Sequence, residues 1–454
     1  MSLELEQRLS GIQPTKHYDI VIVGGGLVGA SLCLALAGTA KTYGLSIAIL
    51  DAAPIDTSFL DSAPIEATTI NALGVLDGRA TALALGSRNL LNSIGLWDYL
   101  DPHAQAISKI QVSDQGQPYK SEMLADEMRR DALGYVLQNQ TMGQVFLEQI
   151  IKRCSDCVDL IDQAQVVSID NARQDSHLDY QRFGQSSSIT AQLIVMADGG
   201  RSALRQKLGM FDQVHHYDQV ALVANVELDQ YHQGLACERF TPSGPLALLP
   251  LPTMEGKFRA ALVWTQPIAR QNELQQLSDE QLLQEIQLQA GYPMGELLAI
   301  GDRQVYPLAL SVALEQARQG LAVVGNAAHT LHPIAGQGFN LALRSNFALA
   351  QSVLKSCKQG VPIGDLANLN EFVTASGWDK DRVISASDKV MKLFSNKKIH
   401  YSVLRQLGLL TMQQIPLVRT IFTRAAMGLD VPLAKVLAMP PISAKDLSGS
   451  EEVL

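Results

Sequence analysis

The chain has 454 residues, 47% of them hydrophobic, a net charge of −9 and a pI near 5.5. That length exceeds one simple core and predicts two domains, and the acidic balance excludes general nucleic-acid binding. Five cysteines in so long a chain fit a reducing cytoplasm, the N-terminus lacks the basic-then-apolar order of a signal peptide, and no uncharged apolar run reaches spanning length.

Residues 1–16 read as a polar arm, and 17–23 as a short buried strand running into glycines. Gly24, Gly26 and Gly29 then form G-x-G-x-x-G at the start of a helix over 30–37. In that context Gly24 permits a tight turn, Gly26 lets a pyrophosphate approach the backbone, and Gly29 lets helix and strand pack closely. The unpaired N–H groups of the helix N-terminus face the phosphates. A second strand, 45–50, ends at Asp51, 22 residues after Gly29. An acid there suits a ribose hydroxyl pair and repels a 2′-phosphate, which favours FAD or NAD over NADP.

Segment 52–76 is a long loop. Arg79 follows as a lone basic group at a loop–helix junction, able to meet a cofactor or to pair with a surface acid. Residues 107–113 alternate like a strand, 115–130 read as loop, and 133–139 lead into a helix through Met142, Val145, Phe146 and Ile150. Cys154 and Cys157 form a C-x-x-C, but no second pair or histidine cluster completes a metal site, so they read as two thiols near a helix end. A strand at 166–169 and an exposed hairpin at 177–189 come next. The buried strand 192–197 ends at Asp198, Gly199 and Gly200, and ligands of α/β sheets gather at such strand ends.

From 220 to 265 the pattern changes to strands at 220–228, 236–240, 246–251 and 258–265, which predicts an antiparallel sheet in a second domain. Ser278 is a candidate N-cap. A strand at 304–310 and another at 321–324 lead into a run of small residues from Gly325 to Asn340, followed by a helix. His329 and His332 in that run are candidate bases or structural hydrogen-bonders, and His215, His216 and His232 have no evident partner in sequence. The last hundred residues read as helices. Between Lys389 and Gly428 lie seven Lys or Arg and no Asp or Glu, interleaved with apolar residues. This is either a basic amphipathic surface for anionic lipid or a helical cap with a solvated face.

Three separated segments now match one family in order. They are Gly24 to Gly29 with Asp51; Ala197, Asp198, Gly199, Gly200, Arg201, Ser202 and Arg205; and Gly325, Asn326, Ala327, Ala328 and His329 with Pro333, Gly336, Gly338 and Asn340. Together they resemble the flavin monooxygenases of the aromatic hydroxylase type. Finer features resemble the ubiquinone-biosynthesis hydroxylases within it, nearest the 2-polyprenyl-6-methoxyphenol branch. These are Asp77 to Leu83, Ile94 to Trp97, Leu133 to Val136, Glu238 to Pro250 and Ala426 to Gly428.

The resemblance implies an α/β fold in which a Rossmann-like FAD-binding domain (17–105, 131–210 and 305–365) interleaves with a mixed or antiparallel-sheet substrate domain (106–130 and 211–304) and precedes a helical region over 366–446. It implies FAD and O2 as cofactor and co-substrate, and hydroxylation of a polyprenyl phenol through a flavin C4a-hydroperoxide. The reductant is NAD(P)H docked without its own fold, since no second G-x-G-x-x-G is present, or a protein electron donor. Gly24, Gly26 and Gly29 would hold the pyrophosphate and Asp51 the ribose. Arg79 would lie near the flavin and ribityl chain, and Asn139 where the family often has Arg or Gln. Asp198 and Gly199 would approach the pyrophosphate. Asn326, where the family pattern has Asp, would contact a ribityl hydroxyl without bringing charge. Pro333, Gly336, Gly338 and Asn340 would border the flavin. No catalytic side chain and no metal ligand is assigned, because the cofactor carries the chemistry. Partners implied are the polyprenyl phenol, other ubiquinone-biosynthesis proteins and a peripheral contact at the inner face of the cytoplasmic membrane. The alternatives are a sister hydroxylase acting at another ring position, an FAD-dependent lipid reductase or epoxidase, and an FAD-binding subunit without turnover.

Overall fold

The computed structural model describes residues 15–55, 79–172, 175–200, 202–332, 336–395 and 399–439. Pro333, Arg201, Asp77 and Gly78 therefore lie outside the described residues, as do Lys397, Lys398 and the segment 440–454.

The first sheet is built on strands Leu321–Val323, Gln185–Met196, Lys16–Val23, Ile47–Leu50 and Val158–Ile161, in that order and all parallel. A parallel sheet needs cover on both faces, and the sequence supplies it as near-continuous apolar runs. Ile20 and Ile22 face one core, together with the helices Leu27–Tyr43, Asn139–Cys154 and Gln337–Gln359. Val21 and Val23 face another, closed by Leu178 and Val166 of an antiparallel hairpin. Helix Leu27–Tyr43 is wrapped on nearly all sides, which explains its run of small and apolar residues without a polar stripe. Asn346 fastens Gln337–Gln359 to it, donating from Nδ2 to the Val28 carbonyl at 2.8 Å and to Ser31 Oγ at 3.0 Å.

The second sheet runs His329–Thr330, Gln304–Ala313, Asp212–Leu228, Lys257–Pro267, Gly244–Met254, Leu235–Thr241, Lys109–Asp114 and Lys120–Leu124. All neighbours are antiparallel except Leu235–Thr241 with Lys109–Asp114. One face is sealed by the helices Gln271–Gln276 and Asp279–Ala290. Ser278 caps the latter through a reciprocal box: its Oγ accepts from Gln281 N at 3.2 Å and its N–H donates to Gln281 Oε1 at 3.1 Å. The other face turns toward the glycine motifs. A small sheet of Ala80–Ala84, Gly134–Gln138 and Gln105–Ile107 fills the space between.

Two details differ from the sequence reading. Strand Gln304–Ala313, grouped there with the cofactor domain, is hydrogen-bonded within the second sheet, from Gln304 opposite Val223 to Ala313 opposite Asp212. Segment 115–130, read as loop, contains the edge strand Lys120–Leu124. There Ser121 and Met123 are buried while Lys120 and Glu122 pair in the open, and such charged edges look loop-like in sequence.

The C-terminal helices Leu366–Ser395, Ile399–Gln414 and Pro416–Ala426 close over both parts. A buried ion pair, Arg344 to Asp379 at 2.6 Å, clamps the first of them to Gln337–Gln359. Arg405 meets Asp114 at 2.8 Å and Arg419 meets Glu127 at 2.9 Å, tying the later helices to the second sheet. Among the described residues no helix is long and apolar enough to cross a membrane.

Candidate cofactor and substrate site

The first glycine loop is shaped from both sides. Gly24 has φ +104°, and a methyl group there would lie 2.6 Å from the Ala197 carbonyl oxygen, so only glycine lets the two strand ends meet. A methyl on Gly29 would strike the Gly24 carbonyl. Gly26 has nothing within 4 Å of an added methyl. It is the N-cap of Leu27–Tyr43, with no side chain capping the helix. An open approach to uncapped N–H groups at the positive end of a 17-residue helix fits a pyrophosphate. Asp51 braces the loop: its Oδ2 accepts from Gly25 N at 2.6 Å and its Oδ1 from Ala53 N at 2.8 Å. Each oxygen keeps a further lone pair for a hydroxyl donor.

The other two motifs are folded onto this one. A methyl on Gly325, at φ +61°, would sit 2.6 Å from Val28 Cγ1, and one on Gly200 would sit 2.6 Å from Thr330 Oγ1. Arg205 donates to the Ala327 carbonyl and forms a 2.7 Å ion pair with Asp212, linking the second motif to the third and to the second sheet. Asp198 is half-buried, and that burial raises its carboxyl above the usual range. Its Oδ1 has no partner among the described residues, and the adjacent Gly199, at φ +92°, is open. An orphaned carboxylate oxygen beside open backbone fits a ligand rich in hydroxyl and N–H donors. The Asn326 side chain is exposed in the same hollow.

At the far end, Gly336 is a left-handed N-cap, φ 59°, of the 23-residue helix Gln337–Gln359, again with no side-chain cap. A methyl there would contact Ala82 Cβ at 3.4 Å, while Gly338 is open. Such a helix N-terminus favours negative charge on a planar group laid against it. The Asn340 side chain is committed to protein: Nδ2 donates to Ala82 O at 2.7 Å and Gly336 O at 2.9 Å, and Oδ1 accepts from Ala84 N at 2.8 Å. Arg79 is exposed at the head of strand Ala80–Ala84, and its carbonyl accepts from Asn139 N at 2.8 Å. Asn139 Oδ1 accepts from Thr81 Oγ1 at 2.6 Å, which leaves its NH2 group as the donor toward the hollow. Burial raises the Tyr306 hydroxyl, and the Arg79 charge works against that shift from across the cleft.

His329 and His332 are buried, and burial pushes both down to about 4, so they are neutral at neutral pH and poor proton acceptors. The His332 ring packs edge-on against Tyr217, centroids 5.2 Å apart. Burial lifts the Cys154 and Cys157 thiols to about 12 and about 11, which makes them unreactive. Among the described residues no cluster of three metal-ligating side chains occurs.

One residue the sequence reading left unassigned stands out. On strand Leu235–Thr241, Cys237 joins the core under the helices and Arg239 reaches the Ala290 carbonyl, so Ala236, Glu238 and Phe240 point to the other face, toward the motifs. Glu238 is enclosed, and burial alone raises its carboxyl to about 7. The available signal was an acid at the position where strand alternation calls for an apolar group, between Ala236 and Phe240.

The family described as "FAD binding domain" matches residues 17–361. Over 413 residues the chain is 32% identical to "Ubiquinone hydroxylase UbiL" of Rhodospirillum rubrum, covering 91% of the chain and 90% of that protein. It is 28% identical to "3-demethoxyubiquinol 3-hydroxylase" of Escherichia coli, covering 92% and 99%. Among solved structures, p-nitrophenol 4-monooxygenase PnpA from Pseudomonas putida superposes with a TM-score of 0.72 at 18% identity, covering 91% of the chain and 99% of that protein. This last likeness speaks for the fold alone.

Proposed function

From the premise that the chain belongs to the FAD-dependent aromatic hydroxylase family, we propose that it hydroxylates the ring of a polyprenyl phenol in ubiquinone biosynthesis, specifically 2-polyprenyl-6-methoxyphenol. The chain is an FAD-dependent monooxygenase, with O2 as co-substrate. The observation that carries the reading is the end-to-end likeness to a protein named for ubiquinone hydroxylation, 91% of one chain against 90% of the other.

The residues support it in physical terms. The face of the second sheet turned to the motifs is floored by small and apolar groups, among them Ala221, Val223, Ala247, Leu249, Ala261 and Val263. Such a surface suits a prenylated ring. Bound FAD supplies the oxygen-activating chemistry. Gly24, Gly26 and Gly29 would hold its phosphates, Asp51 its ribose, and Gly336 and Gly338 would border its flavin edge. Arg79, Asn139, Asp198, Gly199 and Asn326 complete the contacts. The second sheet then positions the ring and excludes water. NAD(P)H docked at the surface, or a protein donor, delivers the electrons.

A second reading has one observation in its favour. The Escherichia coli relative, matched over 99% of its length, is named for another ring position. Dithionite-reduced holoenzyme mixed with O2 and each candidate phenol separates the two, with the product ring position read by NMR. Deletion of the gene in its host is the companion test: an accumulated polyprenyl methoxyphenol supports the proposal, and unchanged quinone levels sink it.

The helical region is proposed to touch an anionic lipid surface. Leu417, Ile421 and Phe422 are exposed along Pro416–Ala426, beside Arg424. The basic face is narrower than the sequence suggested, because Arg405 and Arg419 are engaged with Asp114 and Glu127.

A further inference from the structure

Glu238 is the acid that the architecture places on the substrate side of the second sheet. Its rung runs from Val112 through Glu238 and Ala247 to Val263 and Val223. The next rung carries Ile110, Ala236, Leu249, Ala261 and Asn225. On the opposite face of the same strands Leu246, Leu248, Leu262 and Trp264 are sealed under the helices. Glu238, Ala247 and Val263 are only half-buried although they lie inside the molecule, so their rung borders open space, while the next rung packs against the small sheet through Ala236 and Ala261.

The Glu238 carboxyl makes no ion pair and no hydrogen bond with any described residue, and burial is the sole cause of its shift. What faces it is known from each neighbouring element. Strand Lys109–Asp114 offers Val112 and strand Gly244–Met254 offers Ala247. Asp114, at the strand end, is paired with Arg405. Tyr306 stands at the other end of the face, where the Arg79 charge opposes the rise of its hydroxyl. The side chains of Cys237 and Arg239 lie behind the sheet. An unpartnered carboxyl among alanines and valines costs stability, and a hydrocarbon would pack better. Asn225, on the next rung, also lacks partners for Nδ2 and Oδ1, but at 1% exposed it is closed off from the open part of the face, which leaves Glu238 as the polar group that reaches it. Polar groups left unsatisfied on an apolar floor are aimed at a ligand.

We propose that Glu238 recognises the ring hydroxyl of the substrate and accepts its proton during hydroxylation. This rests on the phenolic substrate proposed above. The O–H bond of the ring hydroxyl breaks and a new O–H bond forms on a Glu238 oxygen. The electron pair left on the phenol oxygen is delocalised into the ring, and the ring carbon attacks the electrophilic oxygen supplied by the flavin and O2. The O–O bond breaks as the new C–O bond forms. As the ring regains aromaticity, the C–H proton from that carbon goes to the oxygen atom left behind, which leaves as water, and the ring oxygen recovers its own proton from Glu238. The carboxyl thus ends the turnover as it began. A base with an ordinary carboxylate affinity is a weak acceptor for a phenol, whereas one shifted by burial toward working pH is better matched.

The test uses FAD-loaded enzyme, 2-methoxy-6-prenylphenol and its methyl ether, which lacks the ring hydroxyl. Binding is followed by the perturbation of flavin absorbance, and chemistry by single turnover of dithionite-reduced enzyme with O2. Wild-type enzyme is expected to prefer the phenol over the ether by at least about tenfold. In E238Q, whose amide oxygen still accepts a hydrogen bond, phenol affinity stays within about threefold while the hydroxylation rate falls about 100-fold. In E238A the preference for the phenol disappears. Retained flavin absorbance reports that each variant is folded. Should neither variant hold FAD, the wild-type enzyme decides the matter. Its phenol-to-ether preference should strengthen as pH rises through about 7, the value to which burial lifts Glu238. A flat ratio overturns the proposal, as does E238Q that hydroxylates at the wild-type rate. Wild-type enzyme that turns over no prenylated phenol sinks the substrate reading and this inference with it. Normal wild-type turnover beside an unaffected E238Q sinks only the role of Glu238.

Discussion

A methyl group on Gly325 would lie 2.6 Å from Val28 Cγ1, so the third motif is pressed directly onto the first turn of the helix that opens the site. Gly325 also sits at φ +61°, a conformation that costs a residue with a side chain about 1 kcal/mol. G325A must therefore either push Val28 outward or lift the 325–332 loop. Both shift the phosphate end relative to the flavin end. FAD retention, read from flavin absorbance per protein after gel filtration, should fall at least about tenfold. G26A is the contrasting variant, because nothing lies within 4 Å of its added methyl. It should melt like the wild type without FAD and lose the stabilisation that FAD confers. G26A with unchanged FAD affinity would overturn the assignment of that opening to the pyrophosphate.

Asn340 was expected to offer the flavin its backbone N–H, and its side chain staples strand Ala80–Ala84 to the helix that follows Gly336. N340A leaves the Ala84 N–H and the Ala82 carbonyl without their partner in a buried place. The cost is about 2–4 kcal/mol, or about 2–4 °C in Tm for a chain of this size. A variant with unchanged Tm and a selectively weakened FAD complex would assign the Asn340 side chain to the cofactor.

These two residues show what the chain states openly and what it hides. Gly24, Gly29 and Gly325 were legible because backbone contact leaves no room for a side chain, and that constraint is local to strand–turn–helix patterns. The buried strands of the first sheet and the antiparallel second sheet followed from apolar runs and alternation. The Ser278 cap was readable for the same reason: its partner, Gln281, is three residues away. The side-chain staple made by Asn340 was hidden because its acceptor, Ala82, is 258 residues away. Glu238 lay inside a quoted segment, but its role depends on which face of a strand meets the cleft, and that is set by the register with Val112 and Ala247. Arg405 and Arg419 read as a free basic surface because Asp114 and Glu127 come from a distant part of the chain.

Glu238 also predicts how stability varies with pH. Its carboxyl ionises near 4.5 when unfolded and only near about 7 when folded. Between those values the folded state binds the extra proton, so its contribution to stability falls as pH rises. The penalty is absent below 4.5 and complete above about 7, where it reaches at most about 3 kcal/mol. E238Q carries no such charge. Holoenzyme melting should show wild type and E238Q alike near the acid end of that window. Above it E238Q should melt about 3 °C higher. A gap of equal size at every pH would mean that packing, and not ionisation, separates them.

The exposed side chains of Pro416–Ala426 allow membrane contact to be separated from stability. Ile421 is 57% exposed and Phe422 53% exposed, so replacing both with aspartate removes no internal packing and should leave Tm unchanged. Each residue is worth about 1.5–3 kcal/mol when moved from water to hydrocarbon. The double variant should therefore lose at least about tenfold in co-sedimentation with phosphatidylglycerol vesicles. R405A should do the reverse. Its guanidinium is largely buried against an equally buried Asp114, and removing it strands that acid at a cost of about 3 kcal/mol. Vesicle binding should persist in R405A while Tm drops. If R405A loses vesicle binding and the aspartate variant keeps it, the contact surface is the basic one and the apolar ridge of Pro416–Ala426 is not what meets the lipid.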